Sequence, residues 1–423
     1  MYNYNIHWFT NVTSQLKWSE LFFWICVILI SGWNMGSIFL LMMTRFQTDS
    51  TSIGVTTTYI HWSNTFPAVS ICLIKNKITE EFTQTVMRRV PPNKTVDNTY
   101  VKNLYEYLFL IPENSNIKEA YCRGWNSTCG VNILEMRKQF LTHTCRTIFK
   151  EIYYGNNLLE NCETIFKFHE LEVGYCFLAN SLIDYKNLDE LPLKYTSSDK
   201  YRNLKLVLQT DLLYKYQLYV HSPEDVPYFN AEGYPVTTRP KVYSFNIEEL
   251  HNNNDVILEK VKQRMCKFPE ESNHSKFVYS FSACMSQLRQ QMEMEMCNCT
   301  LFNSMSYQDY CDVQGIRCLQ KAFVSKLVKD YVSINLVCLP SCMEQQISFV
   351  GSIEERVDQK DFVVEIDIAS PPSARFYRIV TQTKLDLIVA VGGVIGLFVG
   401  LSLLNILEVI SLILQKIKKL FTK

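Results

Sequence analysis

The stretch GGVIGLFVGLSLLNILE, residues 392–408, lies inside the longest apolar run in the second half of the chain. Gly392, Gly396 and Gly400 recur every four residues and form one stripe on a helix, with Gly393 beside it. Close helix–helix packing accounts for such a stripe of small residues. It leaves Glu408 unexplained, because a carboxylate deep in a membrane costs about 2.5 kcal/mol or more. Ser402 lies about 200° around an unbroken helix from Gly400, on the far side. Glycines, serine and carboxylate share one axis only if the helix breaks near Gly400. Irregular backbone is tolerated at membrane depth where it lines a water-filled cavity. The stretch therefore reads as part of an ion pathway.

The rest of the chain agrees with a membrane placement. Between Glu20 and Arg45 there is no charged residue, a run long enough to cross a hydrocarbon core of about 30 Å. It is too long for a secretory signal and lacks a small-x-small cleavage site. Leu387 to Leu407 is again uncharged, and Lys416, Lys418, Lys419 and Lys423 follow it as a cytoplasmic marker. Two spans put both termini in the cytoplasm and the roughly 340 residues between Arg45 and Asp386 outside the cell. The expected division is 1–20 cytoplasmic, 21–44 first span, 45–385 extracellular, 386–414 second span with the pore, and 415–423 cytoplasmic tail. A net charge of +0 gives no reason to expect a nucleic-acid partner.

Of 15 cysteines, only Cys26 falls in a span, and the others lie between Cys72 and Cys342. An even set on the outer side reads as a disulfide framework. The spacings Cys297-x-Cys299 and Cys311-x6-Cys318 are not zinc knuckles, and no histidine accompanies them at ligand spacing, so no metal site is expected. The sequons at Asn93, Asn126, Asn273 and Asn298 fall in the same outer segment, whereas Asn11 precedes the first span.

Residues 59–74 and 203–220 are rich in β-branched and aromatic residues and predict strands. Residues 277–296 and 319–333 predict helices. The Asn-rich region around 90–130 reads as an irregular or inserted module, and no linker divides the ectodomain, which is expected to be continuous. The seven histidines form no H-E-x-x-H, and neither a nucleophile elbow nor a phosphate loop is present, so an enzyme is not expected.

The order of FPAVSIC (66–72), GYCFLAN (174–180), VHSPEDVP (220–227), RMCKFPEE (264–271), YSFSACMSQLR (279–289), CNC (297–299), CLPSC (338–342) and the pore stretch resembles the degenerin/epithelial sodium channel/acid-sensing channel superfamily. Its insect pickpocket branch is most similar. The resemblance implies an α+β membrane protein, a homotrimer or a heterotrimer with related subunits. Two transmembrane helices would flank a disulfide-rich ectodomain of palm, β-ball, finger, knuckle and thumb. It implies a mainly sodium-conducting, amiloride-sensitive channel in the plasma membrane, opened by an extracellular stimulus and sensory in role, with no cofactor. Carried over residue by residue, the selectivity filter falls on Gly400, Leu401 and Ser402 and the lower pore carboxylate on Glu408. The pore mouth and gate fall on Val389, Ala390, Gly392 and Gly393, and an N-terminal gating pair on His7 and Trp8.

Two departures stand out. Trp8 occupies a position where the family has glycine, and Val389-Ala390 replaces small or acidic residues at the pore mouth, which implies reliance on a partner subunit. The resemblance further implies the pairs Cys72–Cys176, Cys266–Cys342, Cys284–Cys338, Cys297–Cys318 and Cys299–Cys311. Cys122, Cys129, Cys145 and Cys162 then allow three connectivities, of which Cys122–Cys129 with Cys145–Cys162 is favoured. One family bridge is replaced by Leu288 and Leu336, expected in contact. Other readings are a non-conducting auxiliary subunit, a two-span scavenger or lipid receptor, which needs no Gly-x-Ser break, and a purinergic channel, which needs ATP-binding lysines.

Overall fold

The computed structural model describes residues 18–48, 50–57, 62–75, 80–90, 98–108, 132–141, 144–185, 187–209, 215–272, 277–301, 310–312, 314–316, 318–319, 338–356 and 361–400, with 407, 411 and 414. The chain forms two compact units. One draws on Met1–Ile53, Asn253–Arg264 and Arg378–Lys423, the other on Gly54–Asn252 and Met265–Tyr377.

In the first unit the uncharged N-terminal run lies within a 31-residue helix, Trp18–Thr48. At 1.5 Å per residue it is about 46 Å long, more than a hydrocarbon core requires. Glu20 in its first turn and Arg45 in its last suit the helix dipole. Among the described residues it is the one helix long and apolar enough to cross a membrane. A second helix, Lys384–Val399, packs on it. Its start is fixed reciprocally: the Asp386 amide donates to Thr383 Oγ1 at 3.2 Å, and the Thr383 amide donates to Asp386 Oδ2 at 2.9 Å.

Residues 253–264 group with the chain ends in the first unit. The cause is a set of non-local hydrogen bonds. Gln263 Nε2 donates to the Phe46 carbonyl at 3.4 Å and the Ser50 hydroxyl donates to the Gln263 carbonyl at 3.3 Å. The Asn253 amide donates to the Arg378 carbonyl at 3.0 Å.

The strands run in chain order as β1 (Thr51–Thr56), β2 (Ser63–Thr65), β3 (Ala68–Lys75), β4 (Phe149–Tyr154), β5 (Asn157–Leu158), β6 (Phe166–Leu171), β7 (Gly174–Ala179), β8 (Lys194–Thr196), β9 (Asn203–Leu208), β10 (Lys215–His221), β11 (Tyr234–Pro235), β12 (Lys241–Asn252), β13 (Glu344–Glu354), β14 (Phe362–Ile368) and β15 (Arg375–Val380). An eight-stranded sheet has the order β1-β15-β12-β14-β9-β4-β5, with β13 also on β12; the unit boundaries fall inside β1 and β15. Strict alternation sets its inner face in β14, where Phe362, Val364, Ile366 and Ile368 are buried. A five-stranded sheet runs β11-β10-β3-β7-β6, antiparallel throughout. Its central strand β3 reads as a nearly continuous apolar run because both of its faces are covered. Phe149 stacks on Phe166 at 4.3 Å, and Phe66 meets Tyr154 edge-on at 5.5 Å, within the core.

Strand expectations for 59–74 and 203–220 correspond to β2 with β3 and to β9 with β10. The helix expected over 277–296 is Phe281–Cys297, opened by Ser280, whose hydroxyl accepts from the Ala283 amide at 3.1 Å. Asn298 closes it in the left-handed conformation. The helix expected over 319–333 lies, beyond Leu319, outside the described residues. Of the region read as an irregular or inserted module, Asn98–Leu108 is a helix, which corrects the irregular alternative for those residues. Tyr100, Val101, Leu104 and Tyr105 supply a buried face, and Tyr105 meets Phe82 edge-on at 4.9 Å.

Two landmark motifs meet at Asn180, which ends β7 with φ 58° and is fully buried. Its Nδ2 donates to the Phe66 and Leu193 carbonyls at 2.5 and 3.1 Å, and its Oδ1 accepts from the Leu193 amide at 3.0 Å. One side chain thus ties FPAVSIC to GYCFLAN. Nearby, the imidazole of His221 accepts from the Ser70 hydroxyl at 2.7 Å and donates to the Ser222 carbonyl at 2.9 Å, a packing role. Loss of solvation holds its pKa below the ordinary value, which keeps the ring neutral.

The disulfides are Cys72–Cys176, Cys145–Cys162, Cys266–Cys342, Cys284–Cys338, Cys297–Cys318 and Cys299–Cys311. They are the pairings set out above for those cysteines. Cys72 and Cys176 face each other in register across β3 and β7. Cys122 and Cys129 lie outside the described residues, as does Leu336. Leu288 packs at the cluster of Met285 and Cys338.

Candidate ion pathway

The C-terminal helix ends where the sequence places a break. Val399 is its last residue, and Gly400 caps it with φ 68° and ψ 15°, its amide donating to the Gly396 carbonyl at 3.0 Å. Left-handed backbone is strained for residues with a Cβ and open to glycine. A cap of this kind redirects the chain, and the last carbonyls of a helix have no partner further along it. Such carbonyls in an apolar segment need water, ions or another chain.

Packing among the described residues does not account for three of the glycines. A Cβ built on Gly392, Gly393 or Gly400 meets no atom within 4 Å. Gly392 and Gly393 are exposed, as are Val389 at 66% and Leu397 at 79%, while Ala390 is half-buried and Val394 is buried. Among the described residues, the face that includes Val389, Gly392 and Gly393 is therefore left open. On the other side, the Ser31 hydroxyl reaches the Phe398 carbonyl at 3.5 Å, a long contact that marks where the two helices approach.

Leu401, Ser402 and Glu408 lie outside the described residues, and so do His7 and Trp8. Asn93, Asn126 and Asn273 lie outside them as well. Asn298 is exposed, two residues before Thr300, which is fully buried. Among the described residues no group of three or more His, Cys, Asp or Glu is arranged to hold a metal ion.

In the second unit, the helix Phe281–Cys297 carries a buried charge cluster. Arg289 pairs with Glu172 at 2.7 Å, approaches Glu293 at 3.6 Å and lies over the Phe229 ring at 5.0 Å. Two carboxylates share one guanidinium, and burial pushes both pKa values up, that of Glu293 to about 7. A carboxyl raised in this way favours the fold below its unfolded pKa of about 4.3, and that contribution is lost as pH rises through about 7.

Residues 1–412 match the model of the family described as amiloride-sensitive sodium channel. The sodium channel protein Nach of Drosophila ananassae is 21% identical over 412 residues, spanning 88% of this chain and 76% of its own length. Among solved structures, the cryo-EM structure of a proton-activated chloride channel aligns with 92% of this chain and 97% of its own at 8% identity. Its TM-score of 0.26 is too low to carry an argument. With residues 1–412 of its 423 matched by the family model, the chain belongs to the amiloride-sensitive sodium channel family, the degenerin/epithelial sodium channel group.

Proposed function

We propose that the chain is a subunit of a sodium-selective channel in the plasma membrane, with two spans, cytoplasmic termini and three subunits around one pore. The observation that carries this reading is the helix end at Gly400, in left-handed backbone where an added Cβ would meet nothing within 4 Å among the described residues. In the proposal, carbonyls at Gly400 and Leu401 and the hydroxyl of Ser402 replace part of a cation's hydration shell. Three copies of Glu408 below them concentrate cations and repel anions. Val389, Ala390, Gly392 and Gly393 line the way in, and His7 and Trp8 act near the inner end. An extracellular, sensory stimulus opens the pore. The bulk of Trp8 favours a second reading, a non-conducting auxiliary subunit that assembles with a related chain.

Ser402→Phe and Glu408→Ala test the assignment, each measured as the sodium-over-potassium permeability ratio in cells expressing the chain with and without a related subunit. Both substitutions are expected to lower the ratio several-fold. An unchanged ratio and conductance in both would remove these residues from the pathway. In the auxiliary reading the chain alone gives no current, and the substitutions leave the current of the mixed channel unaltered.

The two-span topology makes its own prediction for a mass-spectrometric glycan map. Asn93, Asn126 and Asn273 should carry glycan and Asn11 none. Asn298 should be only partly occupied, because Thr300 is sealed in the fold beside the Cys299–Cys311 bond and the transfer must precede its closure. Glycan on Asn11 would contradict the cytoplasmic N-terminus.

A further inference from the structure

The second unit contains a cavity of about 430 Å³ that the pore reading does not use. Its walls come from β2, the turn around Leu188, the loop after β10, the end of β12, Pro269–Glu270 and the start of β13. Leu182, Leu188, Leu250 and Met343 supply apolar surface. Asp189, Glu224, Glu249, Glu270 and Glu344 supply carboxyl groups, and no lysine or arginine is among the described residues that line it. His251, the one basic side chain there, is held by Glu249 at 2.9 Å.

Two of these carboxyl groups are equally deep and differently treated. Glu249 is 5% exposed and fully engaged: it accepts from Arg375 Nε at 3.1 Å, from the Thr65 amide at 3.3 Å and from Gln345 Nε2 at 3.4 Å as well as from His251. Glu224 is 3% exposed and lines the same space, yet its Oε1 has no hydrogen-bond partner among the described residues. The Ser222 hydroxyl and the residue's own amide are the hydrogen-bond donors to its carboxyl group. A buried carboxyl oxygen left unpaired is costly, and a ligand that brings a donor relieves that cost.

The ligand's class follows from what surrounds that oxygen. No three acidic or histidine side chains among the described residues converge to hold a metal ion, so a bare divalent cation is not suited to the carboxyl arrangement. The volume falls within the range of small-molecule sites, roughly 300–1,000 Å³, and the leucines offer surface to an apolar body. We propose that this cavity binds a small organic cation, an ammonium or guanidinium on an apolar body, with Glu224 pairing with the charge. The site concerns binding only and stands whether or not the chain conducts by itself.

Burial, with Asp225 on the same loop and Glu344 on β13 adding negative charge, pushes the Glu224 pKa up to about 8. His221 on β10, held neutral, does not offset them, and Glu249, His251 and Glu270 also line the cavity. A cation binds the ionised form, so its affinity should increase as pH rises from 6.5 to 8.5, by ten-fold or more.

The test uses the purified full-length chain in detergent and phenethylammonium as probe, read by calorimetry. Saturable binding is expected at pH 8.5, at least ten-fold weaker in Glu224→Gln and in Leu188→Trp, which narrows the cavity without touching Glu224. The neutral analogue phenethyl alcohol should not bind. If one variant fails to fold, the other and the pH dependence of the unaltered chain still decide. Absence of saturable binding, or affinity unaffected by both variants and by pH, overturns the proposal. Displacement of the probe by stoichiometric calcium that itself requires Glu224 overturns it in favour of a metal site.

Discussion

Replacing Gly400 with valine is expected to extinguish the sodium current, by more than ten-fold, while the chain still reaches the cell surface. Space is not the obstacle, because a Cβ at Gly400 meets nothing within 4 Å. The obstacle is the backbone at φ 68°, which costs an ordinary residue about 1–2 kcal/mol and a β-branched one more. Valine would draw residue 400 back toward right-handed helix and remove the turn at which the helix ends. Asparagine tolerates the left-handed region, so Gly400→Asn should retain far more current than Gly400→Val. The pair separates a backbone requirement from a size requirement. A glycine needed only for close helix packing predicts equal harm from the two residues, seen as loss of assembly.

Asn180→Ala is expected to leave almost no folded chain at the surface. The substitution removes two donated bonds and one accepted bond from a fully buried position. The Leu193 carbonyl keeps the Phe66 amide at 3.0 Å, so the groups lost to pairing are the Phe66 carbonyl and the Leu193 amide. Each orphaned group costs about 1–3 kcal/mol. Alanine at φ 58° adds about 1 kcal/mol, for a total of roughly 3–7 kcal/mol. A domain with about 5–15 kcal/mol in hand loses most of its margin. Asn180→Gly keeps the conformation and loses the bonds, so it should be nearly as damaging by surface biotinylation. Near-normal surface expression of both variants would show that the junction is dispensable.

Local patterns made some elements legible and distance in sequence concealed others. The β3 strand was readable because a run of apolar and β-branched residues flanks Cys72, and the break at Gly400 because Ser402 cannot share a face with the glycine stripe on an intact helix. Asn98–Leu108 was missed because its polar neighbours mask a short face made by Tyr100, Val101, Leu104 and Tyr105. The grouping of 253–264 with the chain ends depends on Gln263 reaching Phe46, more than two hundred residues away, which no local pattern records. Glu224 and Glu249 are the same residue type, each within a few positions of a histidine. Their difference lies in donors brought to Glu249 by β2, β13 and β15, and only the folded chain assembles them.

The central claim is that sodium crosses the membrane through a pore this chain helps to build. Its most direct test is the reversal potential of the current in cells expressing the chain with a related subunit, as external sodium is exchanged for potassium and chloride is held constant. The account predicts a current whose reversal potential follows the sodium gradient and shifts when Gly400→Val or Ser402→Phe replaces the unaltered chain. A reversal potential that tracks chloride, or one indifferent to these substitutions, would contradict it.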